Sequence, residues 1–156
     1  MLEAVCFAQD CSTLFKKNTD KFTDKTSLSL KNPLIKLKAG KILFQMDVNQ
    51  DNEGIQTLIL VSKDPNLGCI EQYAPINFIF SDGTKEAFNN SSSYSCKGTV
   101  IIFLNQYFEE NKVLKNYLMT KSIEAIRITG TNSYVEIDFT KIEGEKFQKG
   151  AKCILE

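Results

Sequence analysis

The chain has 156 residues, of which 42% are hydrophobic and 24% are charged, and its 19 basic side chains balance 19 acidic ones. This is the length of one ordinary domain and the composition of a folded globular protein. A balanced charge does not provide the basic patch that binds nucleic acid, so we expect no nucleic-acid partner. Histidine is absent, which excludes Ser-His-Asp and Cys-His catalysis and histidine-based zinc sites.

The longest apolar run is TVIIFL, at residues 99–104. It is much shorter than the ~20 residues that a membrane-spanning helix needs, and it has the length of a buried strand. We therefore expect no membrane span.

The segment AVCFAQ, at residues 4–9, is similar to the end of a secretory signal peptide, where an apolar stretch meets small residues at the cleavage site. Cleavage after Gln9 removes Cys6 and leaves a single exported, periplasmic or extracellular domain over residues 10–156. Residues 1–9 are then a signal-peptide remnant or a disordered tail. The alternative is that the stretch is a short edge strand or an ordered tail of the folded protein.

Cleavage at this point leaves four cysteines, namely Cys11, Cys69, Cys96 and Cys153. An even number in an exported domain is typical of a disulfide framework, although four cysteines allow three connectivities. We favour Cys69 with Cys96, which staples the loops flanking a central hairpin, and Cys11 with Cys153, which ties down both chain ends. The alternative is a cytosolic protein with five buried free thiols. No CxxC pair occurs to indicate a zinc ribbon or a thioredoxin-like site.

From residue 24 to about residue 103 the pattern predicts β-strands throughout, separated by turn residues. Alternating or strand-length apolar runs lie at residues 26–30, 35–48, 55–61, 76–80 and 100–104.

Two local signals follow the run at residues 76–80. The Asp82-Gly83 pair indicates a type I′ hairpin turn that leads into a strand over about residues 85–89. The polar run NNSSSYS, at residues 89–95, predicts an exposed loop.

After residue 104 the apolar period becomes helical. The spacing predicts a helix in residues 108–121, with an apolar stripe of Val113, Leu114, Tyr117 and Leu118. A second helix is predicted in residues 140–155, where Thr140 can act as the N-cap and Gly144 and Gly150 weaken the helix. Its core-facing side chains are expected to be Ile142, Phe147, Ala151 and Ile154.

Between these helices, IEAIRIT and YVEIDFT flank GTNS and predict a β-hairpin. Pairing Thr129 with Tyr134 places Arg127 opposite Glu136, so that one face is apolar and the other carries a cross-strand ion pair.

These elements predict an α+β fold, mainly an antiparallel β-sandwich or a curved sheet or partial barrel, with two short C-terminal helices. The layout of a β-rich body, a helix, an Ile-Arg-Ile hairpin and a closing helix with a late cysteine resembles small uncharacterised exported bacterial envelope proteins. The resemblance implies export and assigns no catalytic residue.

Two groups of side chains are candidates for chemistry. DVNQDNEG matches a calcium loop at Asp47, Asn49 and Asp51, but Asn52 replaces the turn glycine and Leu58 replaces the bidentate glutamate. The EF-hand interpretation therefore fails, and we expect no metal and no cofactor.

The second group is Tyr134, Glu136 and Asp138, which share one face of a strand. A carboxylate pair beside a tyrosine is an arrangement on which acid–base hydrolysis can be built. The same arrangement describes a solvated sheet face, and Arg127 offers Glu136 a structural partner.

The leading hypothesis is a non-enzymatic exported binding or interaction domain, a monomer or weak dimer, which contacts an unknown protein or small-molecule ligand through loops such as residues 89–95 and 47–54. One alternative is a carrier of a small apolar ligand, since 11 phenylalanines and long apolar strands can line a barrel cavity. The other alternative is a hydrolase that uses Glu136 and Asp138.

Overall fold

The computed structural model describes Cys11 and residues 15–30, 35–39, 42–106 and 108–156. The predicted signal-peptide remnant, with Cys6, lies outside the described residues. The strands are β1 (Phe15–Thr19), β2 (Thr26–Leu30), β3 (Ile35–Ala39), β4 (Ile42–Gln50), β5 (Gln56–Ser62), β6 (Pro75–Phe80), β7 (Lys85–Asn89), β8 (Thr99–Phe103), β9 (Ile123–Thr129) and β10 (Tyr134–Asp138). The helices are α1 (Glu109–Thr120) and α2 (Lys141–Leu155).

The strands form two antiparallel sheets. A six-stranded sheet has the order β1-β2-β4-β5-β8, with β3 also paired to β4, and a four-stranded sheet has the order β10-β9-β6-β7. The predicted α+β class is confirmed. The sheets do not close into a barrel, so the barrel cavity of the carrier hypothesis is not formed by the described strands.

Alternate residues of β4, β5, β6, β8 and β9 enter one shared core, as the pleat of a β-sheet requires. In the six-stranded sheet Met46, Leu58 and Leu60 are fully buried, and in the four-stranded sheet Phe78 and Ile128 are buried. The helices add Leu114, Leu118, Phe147, Ala151 and Ile154. Each sheet therefore has one face on the core and one face turned away from it.

Strand β1 was not predicted, because FKKNT is mostly polar and shows no apolar alternation. It forms by pairing along its whole length with β2, from Phe15 opposite Leu30 to Thr19 opposite Thr26. The predicted run at residues 35–48 is two strands, β3 and β4, that pair with each other.

The predicted type I′ turn between β6 and β7 is wrong. Type I′ needs a positive φ at two successive residues, and here Gly83 has a φ of +88° whereas Asp82 is not in that region. The Phe80 N–H donates to the Thr84 carbonyl and the Gly83 N–H donates to the Phe80 carbonyl, both at 2.9 Å. The loop is therefore a three-residue turn that ends on a left-handed glycine.

An ion pair and hydrogen bond from Lys121 hold the pKa of Asp82 well below its usual range.

The predicted stripes of both helices need one correction each. In α1, Val113 is exposed and Asn111 is buried instead. In α2, Ile142 is 79% exposed, because it lies about 140° around the helix from the buried Phe147. Thr140 caps α2 as predicted, and it exchanges hydrogen bonds with Glu143 in a capping box.

Candidate functional site

Two disulfides hold the chain ends and one group of loops. Cys11 is joined to Cys153 and Cys69 is joined to Cys96, which are the two pairs expected from the sequence. Beside the second bridge, Ile70 and Ser95 exchange backbone hydrogen bonds of 2.7 and 3.0 Å. These links fix the loops that lead into β6 and out of β7.

The hairpin of β9 and β10 has the register expected from the sequence, with Thr129 opposite Tyr134 and Arg127 opposite Glu136. Because β9 also pairs with β6, and β6 with β7, this register aligns side chains across all four strands. The face of this sheet that points away from the core is called the outer face below. One row across it is Ala87, Asn77, Arg127 and Glu136, and the next is Lys85, Ile79, Ala125 and Asp138.

A surface groove of about 490 Å³ lies on the outer face, and residues of both rows line it. Its centre is low at Ala125, whose short side chain lies between Ile79 and Asp138 on the neighbouring strands, and Ala87 keeps the β7 edge low as well. With neighbouring strands ~4.8 Å apart, the Cα atoms of Lys85 and Asp138 are about 14 Å apart across three strand spacings. The groove therefore has Ile79 and Ala125 in its floor, Lys85 and Glu86 on the β7 side, and Glu136 and Asp138 on the β10 side.

Arg127 contacts two neighbouring side chains on the outer face. Its Nε donates to Glu136 Oε1 at 2.9 Å, and its Nη2 donates to the same oxygen. Its guanidinium also lies over the Tyr134 ring, 4.5 Å from the ring centroid. The side chains of Arg127 and Glu136 are 48% and 50% exposed, so the pair stabilises the fold by no more than about 1 kcal/mol. It orients groups that still face solvent.

Glu136 and Asp138, the carboxylates of the hydrolase hypothesis, both line the groove. Successive residues on one face of a strand are about 6.5–7 Å apart, within the carboxyl separation of inverting glycosidases. However, Glu136 is occupied by Arg127 and is half exposed. It therefore lacks the burial by which enzymes prepare a carboxyl group as a general acid.

The calcium-loop candidates do not form a loop, because Asp47 and Asn49 lie in an extended strand, β4. Asp47 lies within β4, where burial raises its pKa to about 6. A hydrogen bond from the Val48 N–H acts in the opposite direction and lowers the pKa. Asp51 follows the strand, and its Oδ1 accepts hydrogen bonds of 2.9 Å from the N–H groups of Glu53 and Ile55. Within the described ranges, no three Cys, Asp or Glu side chains gather as a metal site.

The polar run at residues 89–95 was expected to be an exposed loop, and this is wrong at Asn90, which is fully buried. Asn90 Nδ2 donates to the Glu71 carbonyl at 3.0 Å, while its Oδ1 accepts from the N–H groups of Ser92 and Ile101 at 3.1 and 3.2 Å. The asparagine side chain thus replaces backbone pairing and fastens this loop to its neighbours. The other expected contact loop, residues 47–54, is strand up to Gln50.

Several groove residues were missed as candidates, among them Asn77, Lys85 and Ala87. Their signal is the period-2 alternation of β6 and β7, which assigns these positions to the face opposite Ile76 and Phe78. What the sequence does not display is the pairing of β6 with β9, which brings Arg127 beside Asn77.

Comparison of the chain with known protein families, with curated proteins and with solved structures gives no match. Among the described residues, neither helix has the length and apolar character to cross a membrane.

Proposed function

We propose that this protein is a non-enzymatic exported binding domain that holds its ligand on the outer face of the four-stranded sheet. The observation that carries the proposal is the groove lined by side chains of all four strands. Strands packed on a common core provide a rigid floor, so the ligand meets a preformed surface and little conformational entropy is lost on binding. Export is supported by the two disulfides, because such bonds persist in oxidising compartments.

The lining of the groove indicates the kind of ligand. Its volume of about 490 Å³ is that of an ordinary small-ligand site. Ile79 and Ala125 offer apolar contact at the centre, while Lys85 and Glu86 offer charges of both signs on the β7 side and Asp138 offers a carboxylate on the β10 side. A peptide segment or a small molecule with an apolar body and polar ends of both signs matches this lining.

The test is amide shift mapping of ¹⁵N-labelled protein with a library of small fragments that carry an apolar core and an amine, a carboxylate or both. We expect shifts that cluster at Asn77, Ile79, Ala125 and Arg127. The substitution Ala125→Arg fills the low centre and should abolish them. The control Val113→Arg, at an exposed position of α1, should leave them unchanged. Fragments that bind only away from the outer face contradict the proposal.

A hydrolase is the alternative, favoured by the presence of Glu136 and Asp138 in the same groove. A panel of p-nitrophenyl glycosides and esters separates the two functions. A binding domain shows no turnover above the buffer rate. If the wild type shows turnover and both Glu136→Gln and Asp138→Asn lose it, the protein is a hydrolase and the proposed binding function is wrong.

A further inference from the structure

The four-stranded sheet ends on β7 at one side and on β10 at the other. Among the described residues, β7 pairs only with β6 and β10 pairs only with β9. An end strand presents a row of N–H and C=O groups that can pair with another chain, and proteins commonly protect such an edge. The β8 edge of the other sheet is closed in this way. The Ile101 N–H donates to Asn90 Oδ1 at 3.2 Å, and the Ile101 carbonyl accepts from the Ser91 N–H at 2.8 Å.

The hydrogen bonds at the two ends of β7 show which of its residues turn their backbone groups outward. The Phe80 N–H donates to the Thr84 carbonyl, and the Asn90 N–H donates to the Ala74 carbonyl, both at 2.9 Å. Opposite residues of an antiparallel pair alternate between bonded and non-bonded positions. The residues of β7 whose N–H and C=O groups point away from β6 are therefore Lys85, Ala87 and Asn89.

The same reasoning applies to β10. The Gly130 N–H donates to the Ser133 carbonyl at 2.8 Å, and the Phe139 N–H donates to the Glu124 carbonyl at 2.9 Å. The residues of β10 whose N–H and C=O groups point away from β9 are therefore Tyr134, Glu136 and Asp138. All six residues with outward groups are exposed. Within the described part of the chain, the one hydrogen bond to these groups is from Ser133 Oγ to the Tyr134 carbonyl, at 3.3 Å.

The two edges carry opposite charges at the same level of the sheet. Lys85 and Asp138 are the two ends of one row across the outer face, and Ala87 and Glu136 are the two ends of the next. If a second copy continues the sheet, its β10 runs antiparallel to β7 and each row extends into that copy. The outward backbone groups of the two strands then face each other, and Lys85 lies opposite Asp138 of the neighbouring copy. Opposite charges in directly opposed positions stabilise a strand pair.

Pairing of two like edges lacks this complementarity. Two β10 strands paired about Glu136 place two carboxylates opposite each other, which destabilises a strand pair. Two β7 strands paired about Ala87 place Lys85 opposite Asn89 and form no ion pair there. The charges therefore favour contact between unlike edges.

We infer that the β7 edge of one molecule pairs with the β10 edge of a second copy of this chain. The contact is head-to-tail, so the pair keeps one free edge of each kind, to which further copies can add. Only two five-residue strands take part, which makes a small interface, and small interfaces belong to weak and transient complexes. This inference does not depend on a ligand occupying the groove.

Sedimentation equilibrium measures the association, at protein concentrations from about 10 μM to about 2 mM, the range suited to a weak interface. We expect the weight-average mass of the wild type to rise with concentration and to fit the stepwise addition of copies with one Kd. The amide resonances of residues 85–89 and 134–138 should shift together over the same range.

Charge reversal at each edge tests the arrangement. Lys85→Glu and Asp138→Lys each place like charges opposite each other, so each should weaken association by about fivefold. An equimolar mixture of the two variants should associate like the wild type, because every reversed residue then meets an opposite charge. The matched control is Lys146→Glu, at an exposed position of α2, which should also associate like the wild type.

A further variant tests the backbone contact separately from the charges. Ala87→Pro removes an outward N–H and leaves the bonds between β6 and β7 in place, as proline does on the free side of an edge strand. It should weaken association at least as much as the charge reversals. The inference is overturned if the wild type stays monomeric at every concentration or if the mixed charge variants associate no better than each alone. It is also overturned if only one of the two strands shifts, as pairing of like edges would produce.

Discussion

Among single residues, Asp47 couples stability to pH. Burial raises its pKa from 3.8 to about 6, and the hydrogen bond from the Val48 N–H offsets this only in part. Between these two values the folded protein keeps a proton that the unfolded chain has released. The contribution of Asp47 to the free energy of unfolding is therefore present below about pH 4, falls as the pH rises to about 6, and stays lost at pH 7.

Asp47→Asn should abolish this fall, because the amide does not titrate. Urea unfolding of wild type and variant at a series of pH values measures it. The variant should gain stability relative to the wild type as the pH rises from about 4 to about 6, with no further gain above. If the free energies of unfolding of wild type and variant differ by the same amount over this range, Asp47 titrates in the folded protein as it does in the unfolded chain.

The Arg127–Glu136 pair is expected to orient the outer face without stabilising the fold substantially. In a double-mutant cycle with Arg127→Ala and Glu136→Ala, the coupling free energy should be about 1 kcal/mol or less, since both side chains are half exposed. Urea unfolding of the four proteins gives this value. A coupling above about 2 kcal/mol would assign the pair a structural role typical of buried ion pairs.

At the scale of elements, the packing of α2 against β9 depends on Gly144. A Cβ at this position would lie 2.5 Å from the carbonyl oxygen of Ile123. Opening this backbone contact should cost about 1–3 kcal/mol, and alanine favours a helix over glycine by about 1 kcal/mol. Gly144→Ala should therefore lower the free energy of unfolding by up to about 2 kcal/mol. Lys146→Ala, on the exposed side of α2, is the control and should change it by less than about 0.5 kcal/mol. A Gly144→Ala protein more stable than the wild type would show that propensity outweighs the contact.

The two disulfides differ in the length of chain that they enclose. Cys11–Cys153 spans 142 residues and Cys69–Cys96 spans 27. If a disulfide stabilises by lowering the entropy of the unfolded chain, the two bridges raise the free energy of unfolding by about 5 and about 3.5 kcal/mol. Replacing the first pair with serines should therefore lower the free energy of unfolding by about 1.5 kcal/mol more than replacing the second. Urea unfolding of the two double variants measures the order. If replacing Cys69–Cys96 costs more, the bridges act mainly on the folded state and not by restricting the unfolded chain.

Local patterns predicted most of the elements but not the site. The β9–β10 register follows from the sequence because a one-residue slip would place Arg127 opposite Val135 and mix the two faces. Strand β1 carries no such pattern, and it exists because β2 offers it an edge. The groove depends on Ala87 and Ala125 on different strands, brought together by the pairing of β6 with β7 and β9. Pairing between strands distant in sequence leaves no local periodicity, so the two disulfides were the only long-range links foreseeable from residue type.

At the scale of the whole molecule, both sheets and both helices that the structure describes contribute to one core, which leaves the outer face of the four-stranded sheet as a rigid surface with a groove. The most direct test of a ligand on this face is the Kd of the tightest fragment from the shift-mapping library, measured for the wild type, Ala125→Arg and Val113→Arg. We expect Ala125→Arg to weaken binding by about tenfold or more, as truncating or blocking the centre of an interface does, while Val113→Arg binds like the wild type. Equal Kd values for the wild type and Ala125→Arg would contradict the proposed function.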